Sequence, residues 1–192
     1  MYIDRILAPI TTLGPGKRLV IWTKGCSKHC RNCANPELWS IEGARNYPAN
    51  EIAQIVKNIF SSEQITGITI SGGDPLEQKE ELLQLIQELS ALIDDILVYT
   101  GFTFDRVEAL WNSKEIEILK NNISVLIDGP YIEEQNVESS VLRGSLNQKI
   151  YYFKPEYESI YAEYMRNGRQ IQNVYMGEKL ISVGIHNRKG DL

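Results

Sequence analysis

The chain has 192 residues, of which 43% are hydrophobic and 23% are charged, ordinary values for a globular protein. Its net charge of −5 and its pI near 5.2 argue against general binding to nucleic acid or to an anionic membrane. The length suits one domain, so we expect residues 1–192 to form a single domain. Because the N-terminus lacks a signal-peptide pattern and no apolar run approaches the roughly 18 residues of a membrane helix, we expect a cytoplasmic protein.

The first part of the chain predicts strand, loop, helix and strand, after a polar opening and a turn at Gly14-Pro15-Gly16. Residues 18–22 have the β-branched and aromatic density of a strand. A loop that holds the cysteines follows, and apolar residues at helical spacing predict a helix over residues 51–60 with Asn50 as its N-cap. Residues 66–71 predict a second strand, which ends in Gly72-Gly73-Asp74-Pro75.

The middle of the chain continues the alternation. An amphipathic helix is predicted over residues 76–92, a short strand over 96–100 and a helix over 104–119, with a possible break at 112–113. Residues 123–127 predict a fourth strand. Strands that alternate with helices of this length indicate an α/β fold with a mostly parallel sheet.

The last part of the chain is less regular. Residues 149–153 predict another strand and residues 156–166 a short helix. Residues 174–176 and 180–183 suggest a hairpin. We therefore expect residues 151–192 to be an irregular C-terminal extension that ends in a hairpin.

All three cysteines lie in one short loop, at Cys26, Cys30 and Cys33. Their odd number argues against a disulfide framework. Short spacings of this kind let neighbouring thiolates bind adjacent irons of an iron–sulfur cluster. Three thiolates leave one iron of a cubane open, and an open metal position is where a substrate binds.

Two other interpretations of the cysteines stay open. A structural zinc site would need a fourth ligand, for which His29 or His186 is a candidate. Alternatively, the cysteines are unconnected structural residues, although such cysteines are usually scattered among apolar neighbours. The nearby cations Lys24, Lys28 and Arg31 either favour thiolates or are simply solvated loop charges.

The strand ends suggest where a site would lie. Ligands of parallel sheets bind at the carboxyl ends of the strands. The cysteine loop, Gly72-Gly73-Asp74 and Asp128-Gly129 each follow a predicted strand, so we expect them to converge on one rim. Glycine lets the backbone approach a ligand closely.

Several motifs occur in an order that resembles a known family. They are Gly14-Pro15-Gly16-Lys17-Arg18, the C-x3-C-x2-C at Cys26, Cys30 and Cys33, residues 33–39, Ser71-Gly72-Gly73-Asp74-Pro75-Leu76, Asp128-Gly129-Pro130-Tyr131 and Arg143-Gly144-Ser145-Leu146-Asn147-Gln148. The chain in this respect resembles the radical S-adenosylmethionine (radical SAM) enzymes, and more closely the activating proteins of anaerobic ribonucleoside-triphosphate reductase. Asn32 stands where many radical SAM enzymes have an aromatic residue, a departure that favours the narrower assignment.

The resemblance implies a fold and an activity. The implied fold is an open partial (β/α) barrel of mostly parallel strands, whose missing strands would leave a lateral mouth for a protein segment. The implied cofactors are a [4Fe–4S] cluster and SAM, which is cleaved to a 5′-deoxyadenosyl radical. The implied partners are a glycyl-radical enzyme, such as anaerobic ribonucleotide reductase, and an electron donor such as flavodoxin or ferredoxin.

The resemblance also implies roles for single residues. Cys26, Cys30 and Cys33 would hold the cluster. The implied cofactor-binding residues are Gly72, Gly73, Asp74, Asp128 and Arg143. We expect no catalytic residue beyond the cluster and the SAM site.

Two of these implied roles carry a further expectation. Asp74 would accept from the SAM ammonium or cap the following helix. Gly73→Val would weaken SAM binding with less effect on cluster content.

Two alternative functions remain. Residues 151–192 extend past the matched motifs, so the target is open to another glycyl-radical enzyme, a peptide or a small molecule. The third hypothesis is a non-catalytic module that binds zinc or an iron–sulfur cluster.

Overall fold

The computed structural model describes residues 1–187, in which one mixed sheet lies between two layers. The strands are β1 Tyr2–Ile10, β2 Arg18–Thr23, β3 Arg45–Asn46, β4 Gly67–Gly72, β5 Ile96–Tyr99, β6 Val125–Asp128, β7 Lys149–Tyr152, β8 Ile171–Met176 and β9 Lys179–Gly184. The helices are α1 Ala49–Ser62, α2 Lys79–Ser90, α3 Phe104–Leu110, α4 Ser113–Asn122 and α5 Tyr157–Arg166. Among the described residues, no helix is long and apolar enough to cross a membrane.

The sheet has the order β3-β1-β2-β4-β5-β6-β7 and does not close into a ring. Its four central strands, β2, β4, β5 and β6, are parallel and follow one another in chain order. These are the first four strands that the sequence predicts, so the mixed α/β fold with a parallel centre is confirmed. β1, β3 and β7 extend the sheet by antiparallel pairing.

The sequence predicts no element before residue 18, but β1 is a nine-residue strand. Its register against β2 shifts between Ile3 and Arg5 and again between Leu7 and Ile10. Each shift interrupts the alternation of inward and outward side chains, which is the signal that identifies a strand in a sequence. The alternation of polar and apolar residues that would identify β1 as a strand is therefore not visible in the sequence.

Two helix boundaries have local causes, and the first of them differs from expectation. The helix predicted from 51 begins earlier, and Pro48 rather than Asn50 occupies its N-cap position. Proline suits a helix start because its φ is fixed near the helical value. At 112–113 the break is real: Asn112 caps α4 in a reciprocal capping box with Glu115.

Alternate residues of the parallel strands face two different layers. Leu19, Ile21, Ile68 and Ile70 belong to the core that α1, α2, α3 and α4 cover. Val20 and Trp22 point to the opposite face, in a cluster with Val183 of β9. Because both faces are covered, β2 is buried along its whole length.

The C-terminal segment forms the second layer. The hairpin that the sequence predicts is present, with β8 and β9 paired antiparallel. Tyr161 of α5 is completely buried and packs in a cluster with Leu97, Val125 and Ile127 of the sheet. This face of the sheet is therefore filled, and the expected lateral mouth does not open onto it. That residues 1–192 form a single domain stays a prediction.

A buried ion pair lies at the amino ends of the parallel strands. The Arg18 guanidinium, 0% exposed, donates to the Asp95 carboxylate at 2.5 Å. Ser124 Oγ and Tyr161 Oη donate to the other oxygen of Asp95 at 2.9 and 2.8 Å. Thr69 Oγ1 accepts from Arg18 Nε, so fixed groups of the fold satisfy both charges.

Candidate cluster site

The cysteine loop and the Gly72-Gly73-Asp74 segment meet at the carboxyl ends of β2 and β4, as the sequence predicts. The amide of Gly73 donates to the Thr23 carbonyl and that of Asp74 to the Gly25 carbonyl, each at 2.8 Å. Asp128 ends β6 on the same edge, and the Gly129 amide donates to the Phe102 carbonyl at 2.8 Å. The predicted convergence of the three segments on one rim is therefore confirmed.

The cysteine loop curls through three residues with positive φ. These are Gly25, at 99°, His29, at 44°, and Asn32, at 53°. Asn and His accept this left-handed region more readily than most other residues with a side chain. An asparagine before the third cysteine thus fits the tight turn that the backbone makes there.

Residues 36–39, which follow the cysteine loop in the chain, hold the start of that loop in place by hydrogen bonds. Gly25 N donates to the Leu38 carbonyl at 2.8 Å, and Cys26 N donates to the Trp39 carbonyl at 3.0 Å. Leu38 is completely buried, and the His29 ring lies on the Trp39 ring with centroids 4.7 Å apart. The first cysteine is therefore anchored by its own backbone, and its thiol is left available.

The buried side chain of Asp74 joins the cysteine loop, the turn of residues 75–78 and the segment after β5. It is 1% exposed and caps the turn of residues 75–78 by accepting from Leu76 N. Thr100 Oγ1, Gly101 N and Lys28 Nζ also donate to its carboxylate, at 2.9, 2.9 and 2.7 Å. A carboxylate offers about four lone-pair positions, and these four donors occupy them. The capping role is confirmed, and a ligand ammonium would have to displace Lys28.

Lys28 and Glu77 tie the cysteine loop to the second strand end. Glu77 accepts from the Ser27 backbone amide at 3.0 Å and from Lys28 Nζ at 2.9 Å. Lys28 Nζ also lies 3.4 Å from the centre of the Phe102 ring, a cation–π contact. Burial opposes the charged form of Lys28, but Asp74 and Glu77 raise its pKa above the ordinary value.

The two glycines at the carboxyl end of β4 are required by protein contacts. Gly72 has φ 118°, and a Cβ there would overlap the Thr23 backbone. A Cβ on Gly73 would overlap the carbonyl of Gly25, the residue before Cys26. A side chain at Gly73 would therefore displace the cysteine loop, so we expect Gly73→Val to lower the cluster content more than the sequence predicts.

The three thiols are free and partly exposed. Burial raises the pKa of Cys26, and the carboxylates of Asp74 and Glu77 add to this rise, whereas a hydrogen bond from the Lys28 backbone amide and the positive charge of Lys28 oppose it. Lys28 is itself paired, and Arg31 pairs with Glu134 at 3.3 Å on the surface. The Lys28 cation thus favours the Cys26 thiolate, but burial outweighs its effect.

Asp128 has structural partners in this arrangement. One carboxylate oxygen accepts from Phe104 N at 2.6 Å at the start of α3, and the other accepts from Lys149 N at 3.0 Å. Asp128 is only 2% exposed. Its role as a cofactor-binding residue stays a prediction.

Arg143 lies in a turn that supports the segment after β6. Its guanidinium donates to the Gln148 carbonyl at 3.1 Å. Gln148 in turn donates to the Gly129 carbonyl at 2.8 Å, and Asn147 donates to the Pro130 carbonyl at 2.8 Å. The Arg143-Gly144-Ser145-Leu146-Asn147-Gln148 motif thus holds the Asp128-Gly129-Pro130-Tyr131 motif in place. Cofactor binding by Arg143 likewise stays a prediction.

The histidines that the zinc interpretation invokes have other contacts. His29 packs on Trp39. His186 follows β9, and its carbonyl accepts from Asn136 and Arg169. Within residues 1–187, no group of three or more His, Cys, Asp or Glu side chains, the three cysteines included, is already arranged to hold a metal ion.

Sequence reasoning missed four residues around this site. The sequence assigns Glu77 no role beyond suiting a helix start and identifies Lys28 only as a cation near the cysteines, yet both fix the cysteine loop. Phe102 and Arg106 carry no motif, although they line a cavity beside Cys30. The one available signal was their position directly after a predicted parallel strand.

Comparison with known proteins agrees with this site. The family model described as a 4Fe-4S single cluster domain matches residues 12–151, which include the three cysteines. A relative from Enterobacteria phage T4, the anaerobic ribonucleoside-triphosphate reductase-activating protein, is 33% identical over 156 residues, covering 79% of this chain and 94% of the relative.

Two bacterial relatives carry the same name. That of Haemophilus influenzae is 34% identical over 146 residues, which is 73% of this chain and 91% of the relative. That of Escherichia coli is 29% identical over 146 residues, with coverage of 73% and 92%. Three free thiols on one curled loop are also the soft donor set that iron–sulfur clusters use. The chain thus belongs to the 4Fe-4S single cluster domain family and, within it, to the anaerobic ribonucleoside-triphosphate reductase-activating proteins.

Proposed function

We propose that this chain is a radical SAM enzyme that generates a glycyl radical on an anaerobic ribonucleotide reductase. The observation that carries the proposal is the meeting of the three-cysteine loop with Gly72-Gly73-Asp74 on one rim, in a chain 33% identical to a reductase-activating protein. In this proposal Cys26, Cys30 and Cys33 hold a [4Fe–4S] cluster. When bound, the reduced cluster would supply the one electron needed to cleave SAM to methionine and a 5′-deoxyadenosyl radical, the species that would take a hydrogen atom from the substrate glycine.

The residues around the loop have positioning roles. Asp74, Lys28 and Glu77 form a network of ion pairs and hydrogen bonds that fixes residues 27 and 28 of the loop. Gly72 and Gly73 let the two strand ends approach within backbone contact. Such support matters because a cofactor site requires its ligands to be held in place before binding.

The approach of the protein substrate follows from the layers of the fold. We propose that the sheet is the open partial (β/α) barrel of the radical SAM type. Since Tyr161 and Val183 bury the face opposite the helices, the substrate segment approaches at the carboxyl rim beside Cys30. The electron donor, of the flavodoxin or ferredoxin class, approaches the same exposed loop.

A reconstitution experiment tests the proposal. The cluster-loaded, reduced protein is mixed with SAM and the candidate reductase under anaerobic conditions, and electron paramagnetic resonance is recorded. We expect the doublet of a glycyl radical on the reductase, formed with methionine and 5′-deoxyadenosine. Iron and zinc analysis of the same sample checks the metal, and bound zinc without iron would contradict the proposal.

A second candidate target has one observation in its favour. Residues 152–192 lie outside the matched family model, and among them α5 and the hairpin form a layer of this fold. If SAM is cleaved but the reductase acquires no radical, another glycyl-radical enzyme, a peptide or a small molecule becomes the preferred substrate. The reaction with SAM would be common to both.

A further inference from the structure

A cavity of about 380 Å³ opens beside Cys30. The cysteine loop contributes Lys28 and Cys30, the segment after β5 contributes Phe102 and Arg106, and Pro130 after β6 lies on the remaining side. No Asp or Glu lies among the described residues that line it. The cavity is thus next to the candidate cluster ligands and has cationic and apolar walls.

The two cations of the cavity differ in their partners. Lys28 is neutralised by Asp74 and Glu77, at 2.7 and 2.9 Å. Arg106 has no ion pair and no side-chain hydrogen bond within residues 1–187, and its guanidinium carbon lies 5.8 Å from the centre of the Phe102 ring. The cavity therefore has one uncompensated positive charge, in a chain whose net charge is −5.

The position of Arg106 is not explained by helix stability. It lies in the first turn of α3, which begins at Phe104. The helix dipole disfavours a cation in a first turn and favours an acidic residue. Asp105, its neighbour, fits that preference, whereas Arg106 does not.

We propose that Arg106 binds the carboxylate of the methionine part of SAM in this cavity. A guanidinium presents paired donors whose spacing matches a carboxylate. Phe102 and Pro130 offer apolar surface to the remainder of the ligand. This inference rests on the proposed function and adds a ligand-binding residue to it, outside the cysteine and glycine motifs.

A binding cycle with two ligands tests the assignment. SAM and decarboxylated SAM, which keeps the sulfonium and the adenosine, are titrated by calorimetry into the cluster-loaded protein and its Arg106→Gln variant. We expect Arg106→Gln to weaken SAM binding about tenfold, near the low end for a charged hydrogen bond because Arg106 is exposed. Binding of decarboxylated SAM should change less than about twofold.

Matched variants keep the test specific. Arg166→Gln removes an exposed arginine from α5 and should leave SAM binding unchanged. Arg106→Lys keeps the charge and should recover part of the loss. Unchanged SAM binding in Arg106→Gln, or an equal loss for both ligands, would overturn the assignment but leave the proposed function standing. If the unaltered protein with its cluster binds no SAM, both the assignment and the proposed function fail.

Discussion

The two ends of the parallel strands each bury a carboxylate beside a cation, but they are built differently. At the amino ends, Asp95 pairs with Arg18, whose side chain is 0% exposed. At the carboxyl ends, Asp74 pairs with Lys28, whose side chain is 15% exposed and reaches the cavity beside Cys30. The guanidinium group of arginine is planar, with donors in fixed directions that suit fixed partners. The ammonium group of lysine is a compact charge at the end of a flexible side chain.

The ion pair at the amino ends stabilises the fold, whereas the ion pair at the carboxyl ends supports the candidate binding site. Strands, α5 and backbone carbonyls surround Arg18, so its pair joins regular elements. Lys28 joins two irregular loops, and the residues beside it are exposed. Loops on a rigid scaffold are the usual place for binding residues. The amino end should therefore govern unfolding and the carboxyl end the cluster and SAM.

The largest effect should come from the candidate cluster ligands. Cys26→Ala, Cys30→Ala and Cys33→Ala each remove one thiolate, so we expect loss of SAM cleavage beyond the roughly 10- to 100-fold cost of losing a residue that only hydrogen-bonds to a metal ligand. Iron content and 5′-deoxyadenosine formation measure it. The apoproteins should unfold within about 1 kcal/mol of the parent, because the thiols are partly exposed. Full activity in any one variant would contradict the cluster assignment.

Breaking the amino-end pair should destabilise the fold. Arg18→Met leaves Asp95 buried without its cation, and removing one partner of a buried pair typically costs about 3–5 kcal/mol. Urea unfolding measures this loss. In conditions where the variant stays folded, its iron content per folded molecule should match that of the parent. A loss of cluster binding in the folded variant would contradict the conclusion that the amino end governs stability and the carboxyl end governs binding.

A methyl group at Gly73 should affect both loops that meet there. Gly73→Ala places a Cβ against the Gly25 carbonyl, and overpacking of this kind costs about 1–3 kcal/mol. We expect lower iron content together with weaker SAM binding. Gly43→Asn is the control, since that left-handed position has open space around it and accepts asparagine. Normal iron content together with weak SAM binding would instead indicate that the absence of a side chain at Gly73 matters only for contact with SAM.

The smallest effect concerns the amino-end tyrosine. Burial raises the pKa of Tyr161 well above 10. Below pH 10 the phenol is neutral in both folded and unfolded protein. Above it the unfolded chain loses the proton first, so stability should fall as pH rises.

Tyr161→Phe tests this pH dependence. It should cost about 1 kcal/mol near neutral pH by removing the hydrogen bond to Asp95. It should also flatten the alkaline decline, which chemical unfolding at several pH values measures. An equally steep decline in the variant would assign that decline to other groups, such as Tyr99, whose pKa burial also raises.

The features that could be predicted from the sequence are those encoded in short, continuous stretches of residues. The four parallel strands, the cysteine loop and its meeting with Gly72-Gly73-Asp74 all followed from local composition and from the right-handed crossover rule. β1 did not, because its bulges remove the alternation. The pairing of Lys28 with Asp74 and Glu77 did not either, since it joins residues about fifty positions apart whose types alone do not indicate a contact.

The burial of Tyr161 also bears on how this protein can be dissected. A recombinant fragment cut at residue 151, where the family match ends, would lack α5 and the hairpin. Such a fragment would expose Leu97, Val125 and Ile127 to solvent and remove a donor from the Arg18 and Asp95 pair. We expect it to aggregate on expression. Any chimera that moves this cluster loop into another scaffold has to carry the segment through residue 187 with it.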